Sequence, residues 1–282
     1  MEHLSVVGLS LGHIPISVIS QKPTLYIPID VDAASYIARV EAADGQNLEN
    51  IVRQAYDKFF ISLKAYSNFL ALKSACILAG ARTLAGSLVP MTVAMPSPTN
   101  FGFVSGDRSR SGGLKGNGIS KYVELNRQSD ADPQNSYHQV AYISQLAATG
   151  TGGERSVICA GWANPTSHNL VFSGVSQFRS RSTGSTVGGT GPGVGFYGHS
   201  RSNGTQLDYL EATGSVVTAA LNSTTAASRR TFLLGRNNAD AGDGDPVLFG
   251  TNRILFYSVG EAVNLANMRS SLNTLAADLA TL

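Results

Sequence analysis

The sequence predicts a mainly β protein, an antiparallel jelly-roll sandwich preceded by an extended arm and a small helical element and closed by a C-terminal helix. Three observations predict it. From Pro98 onward, short apolar runs recur at regular spacing with Gly, Ser, Thr and Asn between them and no helical pattern, as in a sandwich of antiparallel strands. Between Asp30 and residue 88 the apolar period changes to three and four, which is helical. The last quarter, Arg230 to Leu282, reads as strand, glycine-rich excursion, strand and helix.

Residues 1–29 form the arm. Val6-Val7, Leu9, Leu11, Ile14, Ile16, Val18 and Ile19, then Leu25, Ile27 and Ile29, give short alternating runs broken by Gly8, Gly12, Pro15, Pro23 and Pro28. Such ribbons cannot bury their own apolar face, so the arm is expected to dock on a neighbour, either within the chain or on another protein. Residues 30–90 are the helical element. Asp30 or Asp32 caps a first helix carrying Ala33, Tyr36, Ile37 and Val40, and Asp44-Gly45 ends it. A second helix starts near Asn47, with Leu48, Ile51, Val52, Ala55, Tyr56, Phe59 and Leu63 on one stripe. Phe69 to Ala81 reads as a third helix or as the end of the second.

Residues 98–282 are the sandwich. Expected strands are Lys121–Leu125, Tyr137–Leu146, Ser156–Trp162, Asn169–Val175, Ser176–Ser182, Val194–Arg201, Leu207–Ala212 and Ser215–Ala220. Thr231–Gly235 and Arg253–Val259 follow. In the last of these, Ile254, Phe256 and Ser258 alternate with Leu255, Tyr257 and Val259, so both faces are mostly apolar, as inside a sandwich. The closing helix aligns Leu265, Met268, Leu272, Leu275, Leu279 and Leu282. That stripe suits packing on the sandwich or a short seam between protomers.

Two resemblances attach to these residues. Leu233-Leu234-Gly235-Arg236, Ile254 to Tyr257, Val263-Asn264-Leu265, and Gly116-Asn117-Gly118 followed by Lys121 to Leu125 resemble motifs of the concanavalin A-like, laminin-G-like sandwiches. Val40–Glu49, Cys76–Pro90, Pro98–Asp107, Gly113–Tyr122 and Ala131–Ser136 resemble virion or prophage structural proteins of tailed bacteriophages, over residues 30 to 260. The resemblance implies a non-enzymatic virion protein: a tail fibre, baseplate appendage or receptor-binding protein touching host-surface carbohydrate. A capsid decoration or cement protein is the alternative, and a carbohydrate-active enzyme a second one ranked well below it. It implies attachment to other virion proteins through the arm and helices, assembly in the host cytoplasm, and a homo-oligomer, with a trimer favoured.

Composition fits that expectation. Hydrophobic residues make up 43% and charged residues 14%, against about a quarter charged in ordinary globular domains. The net charge of +2 points to neither nucleic acid nor a membrane surface. No apolar run is long enough to span a bilayer, and Glu2 without a basic segment argues against a signal peptide. Cys76 and Cys159 stand in apolar runs and read as buried free thiols.

No cofactor or metal is expected. A retaining or inverting glycosidase needs two carboxylates flanking one bond, whereas Asp208 and Glu211, three apart, fall on opposite faces of a strand. Gly198-His199-Ser200 lacks the second glycine of a nucleophile elbow, since Ser202 stands there. The glycines from Gly188 to Gly198 precede a strand rather than a helix, so they form a loop and not a phosphate cradle. Asp240, Asp243 and Asp245 near Asn237 and Asn238 could offer calcium oxygen ligands, but EF-hand spacing is absent and turn formation with Gly242 and Gly244 is a sufficient reason for these acids. His138, His168 and His199 lie in separate segments and read as surface or partly buried histidines. The ligand-binding candidates are Trp162, Tyr197, His199, Arg201 and Tyr209, residue types that stack on sugars or anchor interfaces. Core packing competes for Trp162, and for Tyr197 and Tyr209 core and binding face are not separable by pattern.

Overall fold

A computed structural model describes residues 24–147, 156–161, 166–172, 175–183, 186–189, 193–236 and 244–282. The chain opens with α1 (Val31–Asp44) and α2 (Asn50–Ala65), then β1 (Leu72–Ile77) and the short α3 (Leu84–Ser87). Next come β2 (Thr99–Phe101), β3 (Arg108–Ser109), β4 (Gly113–Lys115), β5 (Tyr122–Gln128), β6 (Tyr137–Gln145) and β7 (Ser156–Cys159). After these run β8 (Thr166–Phe172), β9 (Val175–Ser182), β10 (Gly195–Arg201), β11 (Gln206–Leu210) and β12 (Val217–Ala220). The chain finishes with β13 (Arg230–Leu233), β14 (Gly235–Arg236), β15 (Leu248–Phe249), β16 (Arg253–Gly260) and α4 (Leu265–Leu279).

Two antiparallel sheets face each other. One runs β12-β11-β10-β6-β16-β4-β3, with β1 also pairing β16, and the other runs β2-β5-β13-β7-β8-β9. Between them lie Tyr137, Ala141, Ile143, Ile158, Phe178, Tyr197, Leu233, Ile254, Tyr257 and Val259. The far side of the first sheet carries a helical layer, where α1, α2 and α4 bury their stripes on Val140, Phe196, Leu255 and Phe256. Phe59 of α2 meets Phe256 edge-on at 5.5 Å. The leucine stripe of α4 packs here, on its own sandwich.

Local signals explain the helix ends. Asp30 caps α1, its carboxylate accepting from the Asp32 and Ala33 N–H groups at 2.9 and 3.1 Å. Gly45 closes it with φ +70°, a conformation costly for any residue with a Cβ.

Two expectations need correction. Phe69 to Ala81 is not an α-helix; after Ser67 turns the chain at φ +58°, Phe69–Ala71 makes a single 3-10 turn and Leu72–Ile77 forms β1, which pairs with β16. A strand covered on both faces carries a continuous apolar run, and periodicity cannot tell it from a buried helix. The strict alternation in β16 also fails. A register irregularity at Ile254 to Phe256 places Leu255 and Phe256 together in the helical layer, and Ile254, Tyr257 and Val259 between the sheets. Both cysteines are buried and free. Burial pushes the Cys76 thiol up to about 12, partly opposed by the Tyr257 hydroxyl 3.3 Å away.

Candidate functional site

The predicted ligand residues sit mainly on β10, paired with β6 in the register Gly195↔Ile143 to Arg201↔Tyr137. Alternate residues of β10 point between the sheets, and these are Tyr197, His199 and Arg201. All three are fully buried. The Tyr197 hydroxyl donates to the Gly193 carbonyl at 2.8 Å and accepts from the Gly193 N–H at 2.7 Å. His199 lies with Nε2 3.3 Å from Gln139 Oε1, its ring between Tyr137 and Phe178. Arg201 sends Nε and Nη2 to the Ser180 carbonyl and Nη1 to the carbonyls of Leu221 and Gln206 at 2.8 and 3.0 Å. Tyr209, half-buried, stacks on Phe178 with centroids 5.4 Å apart. Trp162 lies outside the described residues. The structure thus brings Tyr197, His199 and Arg201 together, but inside the sandwich and out of a ligand's reach.

Their chemistry is that of a scaffold. Burial, with the Arg181 charge behind it, lowers the Arg201 guanidinium to about 10. Arg181 is also buried, with its guanidinium 4.3 Å over the Tyr137 ring and its nitrogens donating to the carbonyls of Ser129, Asp132 and Pro133. A guanidinium has five donors in a rigid fork, so one side chain satisfies several loop carbonyls that the strand ladder leaves over. The histidines are buried as well, against expectation. His138 lies between the Glu261 carbonyl and the Ser258 hydroxyl, the latter 2.9 Å away, and desolvation lowers it to about 4. Burial holds His168 and His199 far below the ordinary imidazole value.

An open site lies where β10, β11 and α4 converge. The Asn203 side chain accepts from the Thr205 and Gln206 N–H groups, both at 2.9 Å, and turns the chain into β11. In β11, Asp208 stands opposite Ser200 on one side and Thr218 on the other, whose hydroxyl donates to it at 2.5 Å. The Ser200 hydroxyl accepts from the Val263 N–H at 3.0 Å, holding the approach to α4 against the sheet edge. Asn264 caps α4 at the Asn267 N–H and exchanges two bonds with Asn68. The result is a groove of about 380 Å³ lined by Ser202, Asp208, Val216, Ala262, Val263, Asn264 and Leu265. It is roomier than the groove beside Leu70 and Met95, about 260 Å³, or the one between α2 and α4, about 100 Å³.

The groove offers a carboxylate and the Ser202 hydroxyl beside apolar Val216, Val263 and Leu265. Sequence reading missed it because Ser202, Asp208 and Asn264 come from three segments and carry no spacing motif. Only Asp208, a charge in the middle of β11 between Leu207 and Tyr209, could have drawn notice. Glu211 faces the other way, its carboxylate taking the Ser176 hydroxyl and the Gly189 N–H, and burial raises it. Of the calcium candidates, Asp240 and Asp243 lie outside the described residues, and Asp245 pairs with Arg230 at 3.1 Å. Among the described residues no group of three His, Cys, Asp or Glu side chains could hold a metal, and no helix is long and apolar enough to cross a membrane.

The fold defines a class: an antiparallel β-sandwich with one sheet roofed by helices. No protein-family model matches the sequence, and no curated protein does. Among solved structures, the botulinum neurotoxin serotype D binding domain aligns over 76% of this chain and 52% of its own, at 8% identity and TM-score 0.42. A Trypanosoma rangeli sialidase mutant displaying trans-sialidase activity aligns over 80% of this chain and 39% of its own, at 12% identity and TM-score 0.40. Domain 4 of AbnA, a GH43 extracellular arabinanase from Geobacillus stearothermophilus solved with arabinotriose, aligns over 71% of this chain and 97% of its own, at 13% identity and TM-score 0.33. The chain thus spans about half or less of the first two. At this level of similarity none of the three bears on ligand, activity or a phage particle.

Proposed function

We propose that this chain is a non-enzymatic virion structural and adhesion protein of a tailed phage, whose sandwich contacts host-surface carbohydrate through the groove at the β10–β11 edge. One observation carries the binding part. In that groove a carboxylate and a free hydroxyl stand beside an apolar wall, the pairing that suits a sugar with hydroxyls on its rim and C–H groups on its face. The other strongly polar side chains near β10 are committed to loop carbonyls and neighbouring strands, so they stiffen the support behind the groove. The virion part rests on the sequence resemblance and on the low share of charged residues, 14%. A single shallow groove binds weakly, and display in several copies multiplies the effect.

The test is a glycan panel probed with the full chain and with Asp208→Ala. The proposal expects a set of glycans whose binding falls at least about tenfold in the variant, the cost of one charge-assisted hydrogen bond of about 1.5–3 kcal/mol. Binding that ignores Asp208→Ala would move the site elsewhere. A panel with no binder would favour capsid decoration.

A further inference from the structure

We propose that the groove at the β10–β11 edge selects glycans carrying a free amine over their N-acetylated or acidic counterparts, with Asp208 as the residue that reads the charge. This rests on the carbohydrate-binding reading of that groove and adds to it the class of sugar. No residue lining the groove is Lys or Arg. Asp208, half-buried, accepts from the Thr218 hydroxyl at 2.5 Å and enters no ion pair among the described residues. Carboxylates elsewhere in the fold do meet cations: Glu41 has Arg53 at 2.6 Å, Asp107 has Lys121 at 2.6 Å and Asp132 has Arg127 at 2.5 Å.

The charges around the groove leave the Asp208 carboxylate uncompensated. Arg201, one residue before Ser202, points between the sheets, where its nitrogens serve the Ser180, Leu221 and Gln206 carbonyls. Arg269, one turn into α4 from Leu265, donates to the Gly214 carbonyl at 2.7 Å. Glu261, just ahead of Ala262, is neutralised by Lys73 at 2.9 Å. The amino end of α4 adds about half a positive charge, which a full carboxylate outweighs. A half-buried carboxylate without a counter-charge is best satisfied by a cation that the ligand brings. A sugar ammonium offers three donors to Asp208, while the C–H face of the ring suits Val216, Val263 and Leu265 and a ring hydroxyl suits Ser202. N-acetylation removes that charge, and a uronate would set two like charges in one groove.

Oligomers of glucosamine, of N-acetylglucosamine and of galacturonate are titrated calorimetrically against the full chain and against Asp208→Asn, which keeps the acceptor for Thr218 and removes the charge. The expected result is glucosamine oligomers bound at least about tenfold more tightly than the acetylated ones, the worth of one hydrogen bond between charged groups, with galacturonate unbound. Asp208→Asn should abolish the preference with circular dichroism unchanged. In the wild type the preference should also fade as pH rises past about 8, where an α-amino group loses its proton. Equal binding of amine and acetylated oligomers, a preference that Asp208→Asn leaves intact, or galacturonate bound as tightly would overturn the charge assignment. The carbohydrate reading survives those results if Asp208→Ala still weakens glycan binding. Binding of tetralysine in place of every glycan, or of no glycan at all, overturns both.

Discussion

The three buried histidines make a definite prediction about acid. In the unfolded chain each titrates near 6.5, whereas in the fold His138 titrates at about 4 and His168 and His199 well below 6.5, chiefly through burial. A base whose folded pKa is depressed contributes stability that is full above the unfolded value. That stability is lost as pH falls from 6.5 toward the folded value, because the unfolded state binds the extra proton. At pH 5, protonation of an unfolded histidine of pKa 6.5 is worth RT ln(1 + 10^1.5), about 2 kcal/mol. His138, at about 4 in the fold, therefore removes about 2 kcal/mol between pH 7.5 and 5, and His168 and His199 act in the same direction, against a whole stability of about 5–15 kcal/mol for many domains. Glu211, whose carboxyl burial raises, works in the opposite direction with one proton. Asp30, Glu49 and Asp107, held below the usual carboxylate range in the fold, add their loss below about pH 4.5. Urea denaturation at half-unit pH steps reads the slope, and His138→Gln should reduce the loss between pH 7.5 and 5 by about 2 kcal/mol. A stability that stays level from pH 7.5 to 5 would refute the buried, neutral assignment.

Three further outcomes follow from particular contacts. Arg201→Leu should destabilise by about 2–4 kcal/mol, because the Ser180, Leu221 and Gln206 carbonyls lose their donor; thermal melting and glycan binding measured together should show the first falling and the second following only through folding. Leu272→Ala should cost about 2–5 kcal/mol in denaturant titration, since Leu272 is fully buried between α4 and the sheet. Gly113→Ala should leave little folded protein in a solubility assay: φ is +85° and an added Cβ would sit 2.0 Å from the Ile254 carbonyl oxygen.

The fold was readable wherever one face of an element is wet. The stripes of α1, α2 and α4 alternate buried and exposed positions, so period and caps marked them within a few residues. Legibility ended at β1, where helices cover one face and a second sheet the other. The bulge in β16 was hidden too, because its residues are apolar in either phase. Arg181, Arg201 and His199 sit in polar alternation that looks solvated, since their partners are mostly backbone groups distant in sequence. The groove was not legible: Asp208 and Asn264 meet only after β11 and α4 are placed beside each other.

The most direct measurement is imaging of purified particles at side-chain resolution, giving the position and copy number of this protein. The account predicts a tail or baseplate position with the groove containing Ser202, Asp208 and Asn264 turned outward. A regular lattice on the capsid with that groove packed against the shell, or absence of the protein from particles, would contradict it.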